Sequence, residues 1–249
     1  MGEVHIILMT LQEILNHRRA VRHYDPAQPI DSERVRQCIA VATLAPTSSN
    51  MQLWDVYHVT DKSVLQQLAH ACLDQLTATT AQQMVVFVTR QDLYKERSKA
   101  NLNFFVNDVK RNSPAEKQEK RTRSWEMYYG KYLPFVYARC FGMLGLFRKV
   151  LFQAIGLFRP MMRQVSEQDV RVIVHKSCAL AAQTFMLAMS EAGYDTCPVE
   201  GFDSARVKKV LHLPYGTEVN MVITCGMRLP DGVWGDRFRI PFDQQYHRI

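Results

Sequence analysis

Residues 46–54 read PTSSNMQLW, a polar loop that follows an amphipathic helix and precedes a strand. Its hydroxyl and amide side chains can donate to and accept from the edge of a heteroaromatic ring. Ser, Thr and Asn are equally common in ordinary turns, in which case Trp54 belongs to the core. Taken alone, the loop leaves both interpretations open, so the segments on either side of it decide the fold.

Upstream of this loop the sequence predicts two helices. Thr10 followed by Glu13 is a capping box for a short helix. Asp31 or Ser32 can cap a second helix, which Pro46 is expected to end because the residue before proline avoids the helical region. The chain between the two helices contains a basic loop.

Downstream of the loop, strands and helices alternate without a strict βαβ rhythm. Strands are expected at 55–59, 84–89 (MVVFVT) and 218–225 (EVNMVITC). Helices begin after the capping residues Asp61 and Asp203, and a long apolar helix covers about 169–192, closed by Gly193. The pattern predicts an α+β fold, with one sheet of four or five strands covered by helices.

Size, charge and cysteine spacing exclude several classes of protein. The 249 residues are enough for one domain, 1–249. The net charge of +7 comes without a long Lys/Arg run with interleaved aromatics, so no nucleic-acid partner is expected. Six cysteines without a C-x-x-C spacing argue against a zinc or thioredoxin-type site, and no metal site is expected. Reduced cysteines and a start that does not resemble a secretory signal predict a cytoplasmic location.

Residues 95–168 are predicted to form a helical insertion within this domain. The part from 132 to 163 is rich in large apolar residues, but arginines interrupt it before it reaches the roughly 20 apolar residues of a membrane span. Three arrangements stay open: amphipathic helices packed on the body or on a partner subunit, a lid over an active site, or a basic amphipathic helix on a membrane surface.

Two further stretches could carry chemistry. The loop RRAVRHY at 18–24 holds Arg18, Arg19 and Arg22, a plausible phosphate clamp because arginine offers forked donors and keeps its charge. Residues 197–203 read CPVEGFD, where a glycine beside a glutamate permits close approach to a planar ligand. Read singly, the two stretches are also compatible with a solvated basic loop and with a loop before a capped helix.

Taken together with PTSSNMQLW and with RFRIP at 237–241, these stretches resemble the nitroreductase superfamily of FMN-dependent oxidoreductases. Four motifs occur in the family's order. The resemblance implies a nitroreductase-like fold, with a mostly antiparallel central sheet covered by helices, in an intertwined homodimer whose interface contains the long helix. The departures are Ala20, where many members carry Ser, and Leu53, where Pro is usual. Gln82 and Gln83 are the candidates for contacts to the flavin ribityl chain and pyrimidine edge.

The same resemblance implies the roles of the FMN-binding residues in four groups. The phosphate would be held from the first loop and from the C-terminal motif. The polar loop would come from the other subunit, and the fourth group would lie along the flavin ring. The residues, in that order, are Arg18, Arg19 and Arg22; Arg237 and Arg239; Pro46, Thr47, Ser48 and Asn50; and Pro198, Val199, Glu200 and Gly201.

The implied activity is hydride transfer from NAD(P)H to a small electron-poor acceptor, a nitroaromatic or a quinone, by a ping-pong mechanism. The flavin carries this chemistry, so no catalytic side chain is expected. The alternatives are a flavoprotein of the same fold with another reaction (dehalogenation, ring oxidation or flavin fragmentation), a non-catalytic flavin-binding protein, or a membrane-surface protein.

Overall fold

The computed structural model describes residues 9–249. Residues 1–8, which bear on the expectation about a secretory signal, lie outside the described residues. The helices are α1 Leu11–His17, α2 Ser32–Ala42, α3 Lys62–Ala71, α4 Leu76–Thr79, α5 Tyr94–Asn112, α6 Ala115–Met127, α7 Leu133–Tyr137, α8 Met143–Ile155, α9 Glu167–Glu191 and α10 Ser204–Val210. The strands of the described part are β1 Trp54–Val59, β2 Gln83–Thr89, β3 Asp195–Val199 and β4 Glu218–Gly226.

The four strands form one antiparallel sheet in the order β1-β2-β4-β3. Strand β2 is buried along its whole length. Val85 and Phe87 point to the core formed with α2 and α9, whereas Met84, Val86 and Val88 point to the core formed with α3 and α10. Helices therefore cover both faces, which explains why this strand is an uninterrupted apolar run in the sequence. The α+β prediction is confirmed.

Local capping chemistry sets the helix starts as the sequence predicts. Thr10 and Glu13 form a reciprocal capping box at α1, and Asp31 accepts from the Glu33 backbone N–H at α2. Gly193, with φ of +78°, follows the C-terminal end of α9. The expected role of Pro46 is wrong in detail: α2 ends at Ala42, because the backbone changes there to successive hydrogen bonds between residues three apart, from Ala40–Thr43 to Ala42–Ala45.

The region 95–168 is helical, as expected. Helices α5 and α6 pair, a single π-helical turn at Tyr128–Tyr132 leads into α7, and α8 follows after a loop. A third core lies here, and it contains Leu53 and a run of stacked aromatic rings that includes Phe105, Trp125 and Tyr129. That this region is an insertion into one domain remains a prediction.

Helix α9 is the central support of the molecule. Among residues 9–249 it is the helix that is long and apolar enough, by length and composition alone, to cross a membrane. Half of the residues in its most apolar stretch are buried, and the helix packs against the sheet and α2, as a core helix does. Its exposed side carries Val172, Lys176 and Leu180, one stripe at helical spacing.

Candidate functional site

The basic loop 18–24 is fixed to the edge of the sheet by its two apolar residues. Val21 and Tyr24 are fully buried, and the Tyr24 hydroxyl hydrogen-bonds to Thr224 on β4. Tyr24 packs directly on Gly226, where a Cβ atom would lie 2.6 Å from the ring. The buried residues hold the backbone, so Arg22 between them, and Arg18 and Arg19 just before them, project from an anchored segment.

A buried ion pair fixes the helix that precedes this loop. Asp195, at the start of β3, is 3% exposed and accepts hydrogen bonds from the side chain and backbone N–H of Arg228. The Arg228 guanidinium also donates to the carbonyl of His17, the last residue of α1, at 2.8 Å. The end of α1 is thereby tied to the sheet immediately before Arg18.

The C-terminal segment returns to this loop and closes a pocket with it. The Arg237 guanidinium donates to the carbonyl of Arg18 at 2.8 Å, and Arg19 donates to the carbonyl of Gly235 at 2.8 Å. The guanidinium of Arg22 lies over the Trp234 ring, 6.0 Å from its centroid. The pocket measures about 330 Å³ and is lined by Arg18, Arg19, Ala20, Arg22, Val233, Trp234, Asp236, Arg237, Phe238 and Arg239.

The pocket is strongly cationic. Five arginines line it against one carboxylate, that of Asp236, and within residues 9–249 none of the five forms an ion pair. Burial lowers the pKa of the Arg18 guanidinium, and the charges of Arg237 and Arg239 lower it further. Like charges held this close are unfavourable unless an anion joins them, so the arrangement is that of an anion-binding site.

The structure brings together the five arginines that the sequence assigned to a phosphate, although they come from opposite ends of the chain. What the pocket can contribute chemically is hydrogen-bond donors in fixed positions and positive charge. Among the described residues no group of three or more His, Cys, Asp or Glu is placed to hold a metal ion.

The segment 198–201 lies beside the arginine loop. Ala20 pairs with Thr196 of β3, and the Val21 backbone N–H donates to the Thr196 carbonyl at 3.2 Å, so β3 passes the loop closely. Pro198 and Val199 end β3, and the Gly201 carbonyl accepts from the Gln75 side chain at 2.7 Å. Glu200 and Gly201 are exposed. These residues therefore extend from the pocket along the edge of the sheet.

The polar loop 46–50 is not part of this pocket within one chain. The Ser48 backbone N–H donates to Ser177 in the middle of α9 at 3.2 Å, whereas His17 contacts Ser190 near the end of α9 at 2.9 Å. Thirteen helical residues separate the two contacts, which is about 20 Å at 1.5 Å per residue. A single chain thus keeps Pro46, Thr47, Ser48 and Asn50 apart from the arginines.

Hydrogen bonds to the helical region shape the polar loop. Ser49, Asn50 and Gln52 have positive φ values near +50°, a conformation that few non-glycine residues adopt. Ser49 bonds to the Tyr128 hydroxyl at 2.7 Å, and Asn50 exchanges two hydrogen bonds with Asn101. The loop is therefore held in an unusual backbone shape from outside itself.

Sequence reasoning missed Trp234, Gly235, Asn101 and Tyr128, because each acts through a contact that is distant in sequence. Gln82 and Gln83, the candidates for the flavin edge, have other partners. The Gln82 amide donates to the carbonyls of Asp25 and Gln28, and Gln83 bonds to Ile30 and Ser32. Both side chains fasten the loop before α2.

A model of the Nitroreductase family matches residues 15–227. The chain belongs to the nitroreductase family. The match runs from α1 through the end of β4, so it includes the arginine loop, the polar loop and the segment 198–201. The resemblance that the four motifs indicated is confirmed.

Several known proteins resemble this nitroreductase-family chain over most of their length. Protein DrgA of Synechocystis sp. is 24% identical over 222 residues, 88% of this chain and 84% of that protein. A nitroreductase-like protein from Streptococcus mutans matches with a TM-score of 0.69 at 19% identity, over 96% of this chain and 100% of that one. NADPH:FMN oxidoreductase from Vibrio harveyi, solved with NAD+, matches with a TM-score of 0.60 at 18% identity, over 96% of this chain and 76% of that one. These structures confirm the nitroreductase-like fold.

Proposed function

We propose that this chain is an FMN-dependent oxidoreductase that passes hydride from NAD(P)H to a small electron-poor acceptor, a nitroaromatic or a quinone. The observation that carries the proposal is the pocket of five arginines without a carboxylate partner in the described chain. Family membership and the name of the Vibrio harveyi relative support FMN as the anion.

The residues present fit the phosphate of FMN. The guanidinium of Arg18 donates no hydrogen bond to any residue between 9 and 249, and that of Arg22 only stacks on Trp234. Both retain their donors for a phosphate, whereas Arg19 donates one hydrogen bond, and Arg237 two, to backbone carbonyls that close the pocket. Arg239 donates to its neighbour's carbonyl at 2.7 Å. A dianion here would relieve the mutual repulsion of the arginines.

FMN, when bound, supplies the hydride chemistry of a ping-pong cycle, first with NAD(P)H and then with the acceptor. The chain's own residues bind and orient. The arginines hold the phosphate and add positive charge, and Pro198, Glu200 and Gly201 continue the site along the sheet edge. Val199 offers only its backbone, because its side chain is buried in the core. No acid, base or nucleophile of the chain is required.

A second copy of the chain would complete the site. Pro46, Thr47, Ser48 and Asn50 stand about 20 Å along α9 from the arginines of their own chain, by the helical rise. In a two-fold dimer each polar loop reaches the pocket of the other subunit, and two identical sites result. The exposed stripe of Val172, Lys176 and Leu180 on α9 is available for such an interface.

Mixed dimers test this arrangement. Arg18→Gln and Ser48→Glu chains, each deficient in FMN binding as homodimers, are co-expressed with different tags and the heterodimer is isolated. If the loop acts across subunits, one of its two sites has a wild-type arginine loop and a wild-type polar loop, and FMN binding returns. If both segments served the same site within one chain, the heterodimer would have no intact site and would stay deficient.

The cofactor is tested by the absorption spectrum of the purified protein, followed by anaerobic addition of NADH or NADPH. We expect flavin absorption at about 450 nm that bleaches with the nicotinamide. Arg22→Ala should lower the flavin content without unfolding the chain. A protein that stays colourless after incubation with FMN, or an Arg22→Ala variant with undiminished flavin, would contradict the proposal.

A further inference from the structure

Helix α8 exposes an apolar stripe. Leu146 and Phe147 lie three and four residues after Met143, Val150 lies four and three residues after them, and all four are exposed. The stripe is continued at its two ends by Phe141, 99% exposed, and Phe158, 90% exposed, with Leu157 beside the latter. We call these seven residues the α8 face.

The opposite side of the helix is fastened to the body. Gly145, Arg148 and Phe152 are buried on that side, and the Arg148 guanidinium, fully buried, donates to the carbonyls of Val165, Phe135 and Ala138. Gly145 approaches so closely that a Cβ atom would lie 2.6 Å from the Glu167 backbone nitrogen. The helix therefore cannot turn its apolar stripe inward, and the α8 face is held outward by construction.

The stretch of sequence that contains α8 carries charge of one sign. Between residues 127 and 166 the sequence has no Asp or Glu, but it has Lys131, Arg139, Arg148, Lys149, Arg159 and Arg163. Lys149, Arg159 and Arg163 are exposed and form no ion pair within residues 9–249. The next carboxylates, Glu167 and Asp169, are engaged at helix N-termini through Cys140, Gly142 and Ser166.

We propose that the α8 face docks the protein on an anionic lipid surface. An anionic lipid surface binds two features that occur together here, exposed large apolar side chains and unpaired cations beside them. The apolar side chains enter the boundary between headgroups and acyl chains, and the cations pair with anionic headgroups. At 13 residues, α8 is too short to span a bilayer, so it lies along the surface. The arginine pocket and its chemistry are not part of this proposal.

A second copy of the chain is the competing occupant, and charge argues against it. A two-fold contact centred on α8 would place the α8 face of one chain against that of the other, which brings the unpaired cations of both together. An anionic lipid surface instead complements them. The two occupants also differ in their response to salt and lipid, which the experiment uses.

The full-length protein is sedimented with vesicles of phosphatidylcholine alone and of phosphatidylcholine mixed with phosphatidylglycerol. We expect binding to the mixed vesicles, weakened by salt, and little binding to phosphatidylcholine alone. The double variant Leu146→Glu/Phe147→Glu should bind the mixed vesicles at least about tenfold more weakly. Lys149→Gln/Arg159→Gln should lose affinity for the mixed vesicles specifically.

Phe104→Glu is the matched control, because Phe104 on α5 is 58% exposed, as is Phe147. It should bind vesicles like the wild type. Light scattering and flavin content are measured on every variant, so that a change in assembly or in the cofactor site is recognised. Wild-type protein that does not sediment with the mixed vesicles would overturn the proposal. An equal loss of vesicle binding in Phe104→Glu and in Leu146→Glu/Phe147→Glu would also overturn it. So would light scattering that shows the double variant to be a dissociated dimer.

Discussion

Replacing Arg18 by Gln should change two properties of the protein in opposite directions. In the cofactor-free chain the Arg18 guanidinium is half-buried beside Arg237 and Arg239, and their repulsion and its burial lower its pKa. It donates no hydrogen bond to residues 9–249, so the substitution breaks none. We expect the free energy of unfolding without cofactor to stay constant or rise, by up to about 1 kcal/mol, since partly exposed charges interact weakly.

FMN binding should weaken at the same time. A hydrogen bond between a guanidinium and a phosphate oxygen contributes about 1.5–3 kcal/mol, which corresponds to a loss of affinity of roughly 10- to 150-fold. The assay combines urea unfolding of the cofactor-free protein with an FMN titration followed by quenching of flavin fluorescence. Arg34→Gln is the control, because Arg34 is an exposed arginine on α2 whose side chain bonds only to Gln37.

Two results would refute this reasoning. If Arg18→Gln and Arg34→Gln bind FMN equally well, the pocket does not hold the phosphate. If the free energy of unfolding of cofactor-free Arg18→Gln is lower by several kcal/mol, the guanidinium stabilises the fold itself and is not a group left free to bind an anion. A stabilised protein that binds FMN poorly is the outcome that the geometry predicts.

Three more changes have definite expected results. The pKa of Glu218 is lowered from 4.5 to about 2, chiefly by its hydrogen bond with His175. The ionised carboxylate therefore contributes fully to the free energy of unfolding above pH 4.5, and this contribution is lost as the pH falls toward 2. Over that range the wild type should lose about 2 kcal/mol more unfolding free energy than Glu218→Gln, as measured by urea titrations at each pH. Gly226→Ala should destabilise by about 1–3 kcal/mol and reduce FMN binding, because the new Cβ meets the Tyr24 ring that anchors the arginine loop; calorimetry and flavin content check this. Arg148→Met should cost about 3 kcal/mol, because three backbone carbonyls lose a charged donor, and limited proteolysis should then cut around α8 first.

Features that arise from neighbouring residues could be predicted from the sequence. The capping box at Thr10, the cap at Asp31 and the closing Gly193 each depend on contacts within a few residues, and each is present. The buried strand at 84–89 was visible because helices on both faces remove the usual alternation of polar and apolar residues. The end of α2 was misplaced, since the turns at its end are set by backbone bonds that no residue type marks.

Features that need distant partners could not be predicted. The arginines were recognised by resemblance to a family, but the contacts that shape their pocket, from Trp234 and Gly235, carry no local signal. The ion pair of Arg228 with the buried Asp195 also carries no local signal, because both residue types usually lie on the surface. Within the polar loop, Ser49 and Asn50 have positive φ values and bond to the helical region, and these partners are distant in sequence.

The closure of the arginine pocket has a consequence for how the protein is made. Arg237 donates to the carbonyl of Arg18 across 219 positions of sequence, so both walls exist only after nearly the whole described chain has left the ribosome. A nascent chain that stops before residue 237 carries the first three arginines without their counterparts. The complete five-arginine pocket therefore exists only after the C-terminal motif has been made, and we expect full affinity for an anion only from that point on.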